Sequence, residues 1–297
     1  IAPRAWPHSQ HDAVGMLIWL TAKLIGEGVL KADEQIVDSV HKLCSYLEAI
    51  EYWATADSGH WEEDLRRNAS SIGCVVAAAR AWSETATTVG LPAVFSPRFI
   101  DYGTDALRSI FPWETPPTDP RPRQFDSALV FLVEPLGVVQ GEAAEDMITS
   151  LVARLGRPLG MARYSGDSYW APNYRDLVDA DQLAADYSDR IEERNRLSQV
   201  GLEAQWTLFD PWVSVFWGKR YRQSRSPEDQ GRQRHHLMRS LAAVTADEAT
   251  IPGRLPEAYF LEQGQWVPND QVPLLWAEAN LEVALLELDP SIASPSS

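Results

Sequence analysis

The chain has 297 residues, enough for one large domain or two small ones, and at 45% hydrophobic residues it can bury a sizeable core. It carries 42 acidic against 26 basic residues, a formal net charge of −16. Such a surface repels phosphate backbones, which excludes nucleic acid and anionic membrane as main partners.

In chain order, an irregular segment, Ile1–Gln10, precedes a very apolar helix over His11–Gly26. Asp33 is placed to cap a second, long helix, with Ile36, Val37, Val40, Leu43, Cys44, Leu47 and Ile50 on one stripe. The stretch Tyr52–Trp82 divides into an acidic, aromatic loop, Ala54–Asp64, and a helix that begins near Asn68 or Ser70. Ile72, Val75, Val76 and Ala79 fall on one face of that helix. A weaker helix over Pro97–Phe111 leads into Pro112–Pro122, which reads as a connector. Ser127–Val139 is apolar and reads as strand or helix; Glu142–Leu155 is an amphipathic helix. Gly156–Arg175 is irregular and aromatic, and Ala180–Arg196 is a polar surface helix or a long loop. Further helices are expected over Trp206–Tyr221, after Ser226–Pro227, and from Pro273 onward. Strand signal is slight and no short-period repeat is present. The pattern predicts an all-α array or toroid, a single domain over residues 1–290 with a tail at 291–297, and no internal linker that divides it.

Several chemistries lack their motifs. There is no Gly-rich phosphate loop and no GxSxG elbow. His235 and His236 are adjacent, so a helix cannot turn both rings onto one metal, and neither a metal nor a cofactor is expected. Cys44 and Cys74 sit on apolar helical faces and read as buried free thiols. No apolar run approaches membrane-spanning length, and a cytoplasmic location is expected. Carboxylates remain. An aromatic residue flanked by carboxylates, on a loop ahead of a rigid helix, suits sugar chemistry: the indole face stacks on a pyranose, and apolar surroundings keep a neighbouring carboxyl protonated. The same residues also read as a solvated acidic loop.

The segment Asp57-Ser58-Gly59-His60-Trp61-Glu62-Glu63, followed by Asn68-Ala69-Ser70-Ser71-Ile72-Gly73, resembles the general-acid segment of glycoside hydrolase family 15, the glucoamylase-like enzymes. It resembles still more closely the related regulatory α and β subunits of phosphorylase kinase. Three further blocks agree in order: Trp6-Pro7-His8-Ser9-Gln10-His11-Asp12-Ala13, then Glu203-Ala204-Gln205-Trp206, then Leu255-Pro256-Glu257-Ala258-Tyr259 with Val272-Pro273-Leu274-Leu275-Trp276. Together they span nearly the whole chain. The resemblance implies an (α/α)6 toroid and an α-glucan or α-glucoside as ligand. It puts Glu62 on the general acid, Trp61 and Glu63 on substrate contacts beside it, and Trp6, Gln10, Asp12, Glu203 and Trp206 on the sugar subsites. Asp167, in an aromatic loop, joins the substrate-binding set on its chemistry, with a turn residue as the equal alternative.

The chain departs from the family in two places. The catalytic-base Glu is expected in the stretch before the last helix, but Gln265–Gln271 contains none; Asp270 could serve with a side chain one methylene shorter, or be a turn or cap residue. The opening hairpins are absent, and roughly nine helices are legible where about twelve close a toroid. The implied activity is inverting hydrolysis of an α-glucosidic bond, which needs an acid and a base about 6.5–9.5 Å apart. The alternative is a non-catalytic α-glucan-binding or regulatory domain.

Overall fold

The computed structural model describes residues 8–183, 185 and 187–288. Trp6 and the tail at 291–297 lie outside them. The chain groups into two compact units. The first comprises Ile1–Gln124, Leu136–Val139 and Asp186–Ile191; the second comprises Phe125–Pro135, Gln140–Ala185 and Glu192–Ser297. The backbone passes repeatedly from one to the other, so no single linker marks the division.

The first unit holds helices α1 (His11–Gly26), α2 (Glu34–Ala49), α3 (Ala69–Val89) and α4 (Pro97–Ile110). Local chemistry sets their ends. The Asp33 carboxylate accepts from Ile36 N–H at 2.9 Å, and Ser96, followed by Pro97, accepts from Phe99 N–H at 3.2 Å. Val40, Cys44 and Leu47 are the members of the α2 stripe that are buried. Helix α3 is the core of the unit, with Ala69, Ile72, Cys74, Val75, Val76, Ala78, Ala79 and Trp82 sealed from solvent. Small residues let its neighbours come close. A Cβ at Gly15 of α1 would lie 2.7 Å from the Cys74 carbonyl carbon, so the two helices pack backbone against backbone. A Cβ at Gly103 of α4 would overlap the Tyr52 hydroxyl, which donates to Phe99 O at 3.1 Å.

The second unit begins with a 3-10 turn, Ser127–Leu129, that runs into α5 (Val130–Val133), followed by α6 (Gly141–Leu155). Strands β1 (Gly156–Arg157) and β2 (Gly160–Met161), α7 (Tyr174–Leu177), α8 (Ile191–Asn195, its first residue grouped with the other unit) and β3 (Gln205–Trp206) come next. Then follow α9 (Phe209–Ser224), α10 (Pro227–Ala242), β4 (Ala258–Glu262), β5 (Gln265–Pro268) and α11 (Leu275–Leu288). The strands form one antiparallel sheet in the order β1-β2-β3-β4-β5. Val215 of α9, Leu237 of α10 and Ala284 of α11 make an apolar core with Trp212 and Leu281 against it. A buried ion cluster ties α9 to α10: Asp210 accepts from His236 Nδ1 at 2.6 Å and from Arg239 Nε at 2.8 Å. Arg239 also donates to Arg157 O and Gly160 O, fixing the β1–β2 turn.

The sheet is the main departure from the sequence expectation. Two-residue strands cannot show a period-two alternation, so β1, β2 and β3 leave no pattern to read. Pairing of Gln205–Trp206 with β4 also delays the start of α9 to Phe209, three residues later than expected. The last helix starts at Leu275 rather than Pro273, and within Ala180–Arg196 only Ile191–Asn195 is helical among the described residues.

Candidate active site

In the first unit, the acidic loop is closed at its base by reciprocal bonds between Asp57 and Arg66, 2.8 and 2.9 Å long. The buried Asp57 carboxylate accepts from His11 N–H at 3.2 Å and Asn68 Nδ2 at 3.0 Å, and Ser58 N–H donates to Ser9 O at 2.7 Å. The loop is thereby tied to the starts of both α1 and α3. Asn68, expected to cap α3, holds the loop instead. Burial, then the charge of Asp12, push the Asp57 carboxyl up.

The tip of the loop presents Trp61 and Glu62. Glu62 has φ +54°, a left-handed conformation that costs a non-glycine residue on the order of 1–3 kcal/mol. It is held there by Glu62 N–H donating to Gly59 O at 3.2 Å and Glu63 N–H donating to Ser58 O at 3.1 Å. Glu62 is exposed, so the apolar cover expected from Trp61 is not in place, and its Oε1 accepts from Gln10 Nε2 at 3.1 Å. Gln10, Trp61 and Glu62 thus come together. Glu63 is buried and paired with Arg123 at 3.1 Å. Arg66 donates to Arg121 O at 2.6 Å, and Arg121 pairs with Asp64. The Pro-rich segment, expected as a mere connector, therefore braces the loop. Asp12 lies beneath it, 6% exposed and 3.5 Å from His60 Nδ1. Burial pushes the Asp12 carboxyl up to about 6, against backbone N–H bonds that pull it down.

In the second unit, Arg163 grips Asp167 with two bonds, 2.7 and 2.5 Å. Both side chains are buried. The guanidinium lies over the rings of Tyr169, 5.0 Å to the centroid, and Trp206, 5.2 Å. Tyr169 Oη donates to Glu257 Oε2 at 3.4 Å, and Asn269 Nδ2 donates to the same oxygen at 2.7 Å. Burial raises the Glu257 carboxyl, opposed by the Asn269 bond and the Arg163 charge. Asp167 and Trp206 are thus brought together around Arg163, with Tyr169, Glu257 and Asn269 completing the group. Glu257 is not among the carboxylates expected from the sequence, where the candidate base lies within Gln265–Gln271. The available signal was a carboxyl directly before an apolar segment, Ala258-Tyr259-Phe260.

Glu203 and Asp270 are held by other partners. Glu203, with its side chain fully buried, accepts from Gly166 N–H at 2.9 Å, Gly201 N–H at 3.0 Å and Arg157 Nη2 at 3.2 Å. Burial alone would raise its carboxyl; these bonds outweigh it and hold the group low. It staples two loops. Asp270 is exposed and paired with Arg175 at 2.7 Å, which also binds Glu262 at 2.9 Å. It lines a surface cavity with Thr245, Ile251 and Val272. Among the described residues, no group of three His, Cys, Asp or Glu side chains could hold a metal ion, and no helix is long and apolar enough to cross a membrane.

The family model for glycosyl hydrolases family 15 matches residues 1–277. A search of curated proteins gave no significant match. Among solved structures, the chain is similar to a glycosidase variant, with a TM-score of 0.66 and 17% identity over 97% of this chain and 69% of that one. A glycosidase variant in complex with glucose matches with a TM-score of 0.65 and 17% identity over the same shares. The glucoamylase of Hormoconis resinae matches with a TM-score of 0.67 and 12% identity, covering 100% of this chain and 55% of that one. At these identities the likeness is one of fold, and with the family match it gives the chain the (α/α)6 fold class, with the small sheet in addition.

Proposed function

The chain belongs to glycosyl hydrolases family 15, and from that premise we propose that it hydrolyses α-glucosidic bonds in an α-glucan or α-glucoside, with inversion at the anomeric carbon. Glu62 is the general acid and Glu257 the general base. Glu62 donates its proton to the glycosidic oxygen as the bond to the anomeric carbon breaks. A water attacks that carbon from the opposite face and gives its proton to Glu257. Glu62 is left ionised and Glu257 protonated, and exchange with solvent restores both. A sugar ring over Trp61 takes Glu62 out of water and supplies the apolar cover that keeps an acid protonated. Gln10, Trp61, Tyr169 and Trp206 supply sugar contacts; Asp12, Glu63, Asp167 and Glu203 support them from buried positions.

The observation that carries this reading is Glu257. Among the described residues, its bonds from Tyr169 and Asn269 both fall on Oε2, which leaves Oε1 to accept from a water. Its partly buried setting keeps the carboxyl basic enough for proton abstraction. Asp270 is engaged in an ion pair with Arg175. The test is proton NMR of the glucose first released from the non-reducing ends of starch or from an aryl α-glucoside, where the cleaved carbon alone sets the anomer. Inversion predicts the β-anomer; initial release of the α-anomer would overturn the mechanism. Binding without turnover would leave the α-glucan-binding reading in its place.

A further inference from the structure

We propose that His60 is the positioning residue that holds Trp61 and Glu62 in their working conformation, an assignment that rests on the acid role given to Glu62 above. His60 immediately precedes Trp61, and its ring is buried, with a side-chain exposure of 4%. Nδ1 lies 3.2 Å from Ser70 Oγ and 3.5 Å from Asp12 Oδ2; Nε2 lies 3.9 Å from Cys74 Sγ. Ser70 and Cys74 are one turn apart on α3 and face the ring together. Gly15, which lets α1 approach α3 at Cys74, brings Asp12 to its other side.

These partners select one form of the ring. The single hydroxyl proton of Ser70 goes to Glu114 Oε1 at 2.5 Å, so Ser70 Oγ is an acceptor toward His60. Nδ1 therefore carries the proton, shared between Ser70 and Asp12, and Nε2 accepts from the Cys74 thiol. Burial and three nearby carboxylates, Asp12, Asp57 and Glu114, keep that thiol protonated. The neutral Nδ1–H tautomer satisfies every one of these contacts. A ring fixed on α1 and α3 at once cannot turn, which pins residue 60 on one side of the left-handed Glu62. The Glu63–Arg123 ion pair pins the other side. The conformation of Glu62 is over-determined by anchors that do not themselves touch a substrate.

The test combines a structural and a kinetic readout on wild type, His60→Leu and His60→Asn. The Asn amide stands where Nδ1–H stands and keeps the donor. Nitrogen-15 NMR of the wild-type ring at neutral pH should report Nδ1–H and a lone pair on Nε2. Hydrogen exchange in His60→Leu should lose protection at the Glu62 and Glu63 amides while the amides of Val75–Ala79 stay protected. Turnover of an α-glucoside should fall roughly 10–100-fold in kcat with KM within about twofold, the scale of an ångström-level misplacement. His60→Asn should restore both loop protection and most of kcat. An Nε2–H or doubly protonated ring, unchanged loop protection in His60→Leu, or joint loss of loop and α3 protection in both variants would overturn the proposal. Wild type without turnover, but with the exchange pattern and tautomer as stated, would defeat the acid role and leave the anchoring intact.

Discussion

Asp12→Asn should make the protein more stable, and only above mildly acidic pH. The Asp12 carboxyl has an ordinary value near 3.9 when unfolded, and burial lifts it to about 6 in the folded chain. A shift of ~2 units corresponds to ~3 kcal/mol. The sign follows from proton binding. The folded chain holds this proton more tightly than the unfolded chain, so no stability is lost below about pH 4, and the loss grows as pH rises through about 6. An amide has no charge to desolvate. It also relieves Asp57, whose carboxyl is raised in part by Asp12. Against this, the Ala13 and Asp12 N–H groups and the His60 Nδ1–H would meet a weaker acceptor. The net gain near pH 8 is about 2 kcal/mol, or ~4–8 °C in Tm, shrinking to nothing near pH 4. Thermal unfolding of both proteins, followed by circular dichroism at the two pH values, measures it. An equal shift at both, or a lower Tm for the variant near pH 8, would refute the reasoning.

Asp210→Asn should act in the opposite sense. Burial works against the Asp210 carboxylate, but His236 and Arg239 overcome it and hold the group below the usual range. The contribution is in place above about pH 4 and is lost as pH falls through the folded value, so the variant should lose about 3–5 kcal/mol near neutral pH, and less in acid, by urea unfolding. Gly103→Ala would ordinarily favour a helix by about 1 kcal/mol. Here the new methyl meets Tyr52 Oη and Val76, and Tm should fall, the overpacking costing about 1–3 kcal/mol.

What the sequence disclosed and what it withheld divide along the range of the forces involved. The start of α2 at Asp33 and of α10 at Ser226–Pro227 are set by residues within one turn, and both stand as expected. The bounds of α1 follow from the same local reasoning. The sheet does not, because its two hairpins are joined into one sheet by partners more than forty residues apart: Met161 pairs with Trp206, and Gln205 with Tyr259. The carboxylates show the same limit. The family resemblance marks Asp12, Glu62, Glu63 and Glu203 as candidate site carboxylates. Whether each faces solvent, a histidine, an arginine or two backbone N–H groups is decided by tertiary packing. The surroundings of Glu257 are not legible either, because Asn269 and Tyr169 are 12 and 88 residues from it in sequence.

The central claim is the division of labour between Glu62 and Glu257, and α-glucosyl fluoride tests it most directly. Fluoride leaves with little help from an acid, whereas an alcohol needs a proton; both substrates need the base to activate water. Measured side by side on the fluoride and on maltose, Glu62→Gln should lose about 10²–10⁴ in kcat on maltose and far less on the fluoride. Glu257→Gln should lose heavily on both, and Asp270→Asn should stay close to wild type on both. Glu257→Gln at wild-type rates, with Asp270→Asn inactive on the two substrates, would contradict the account.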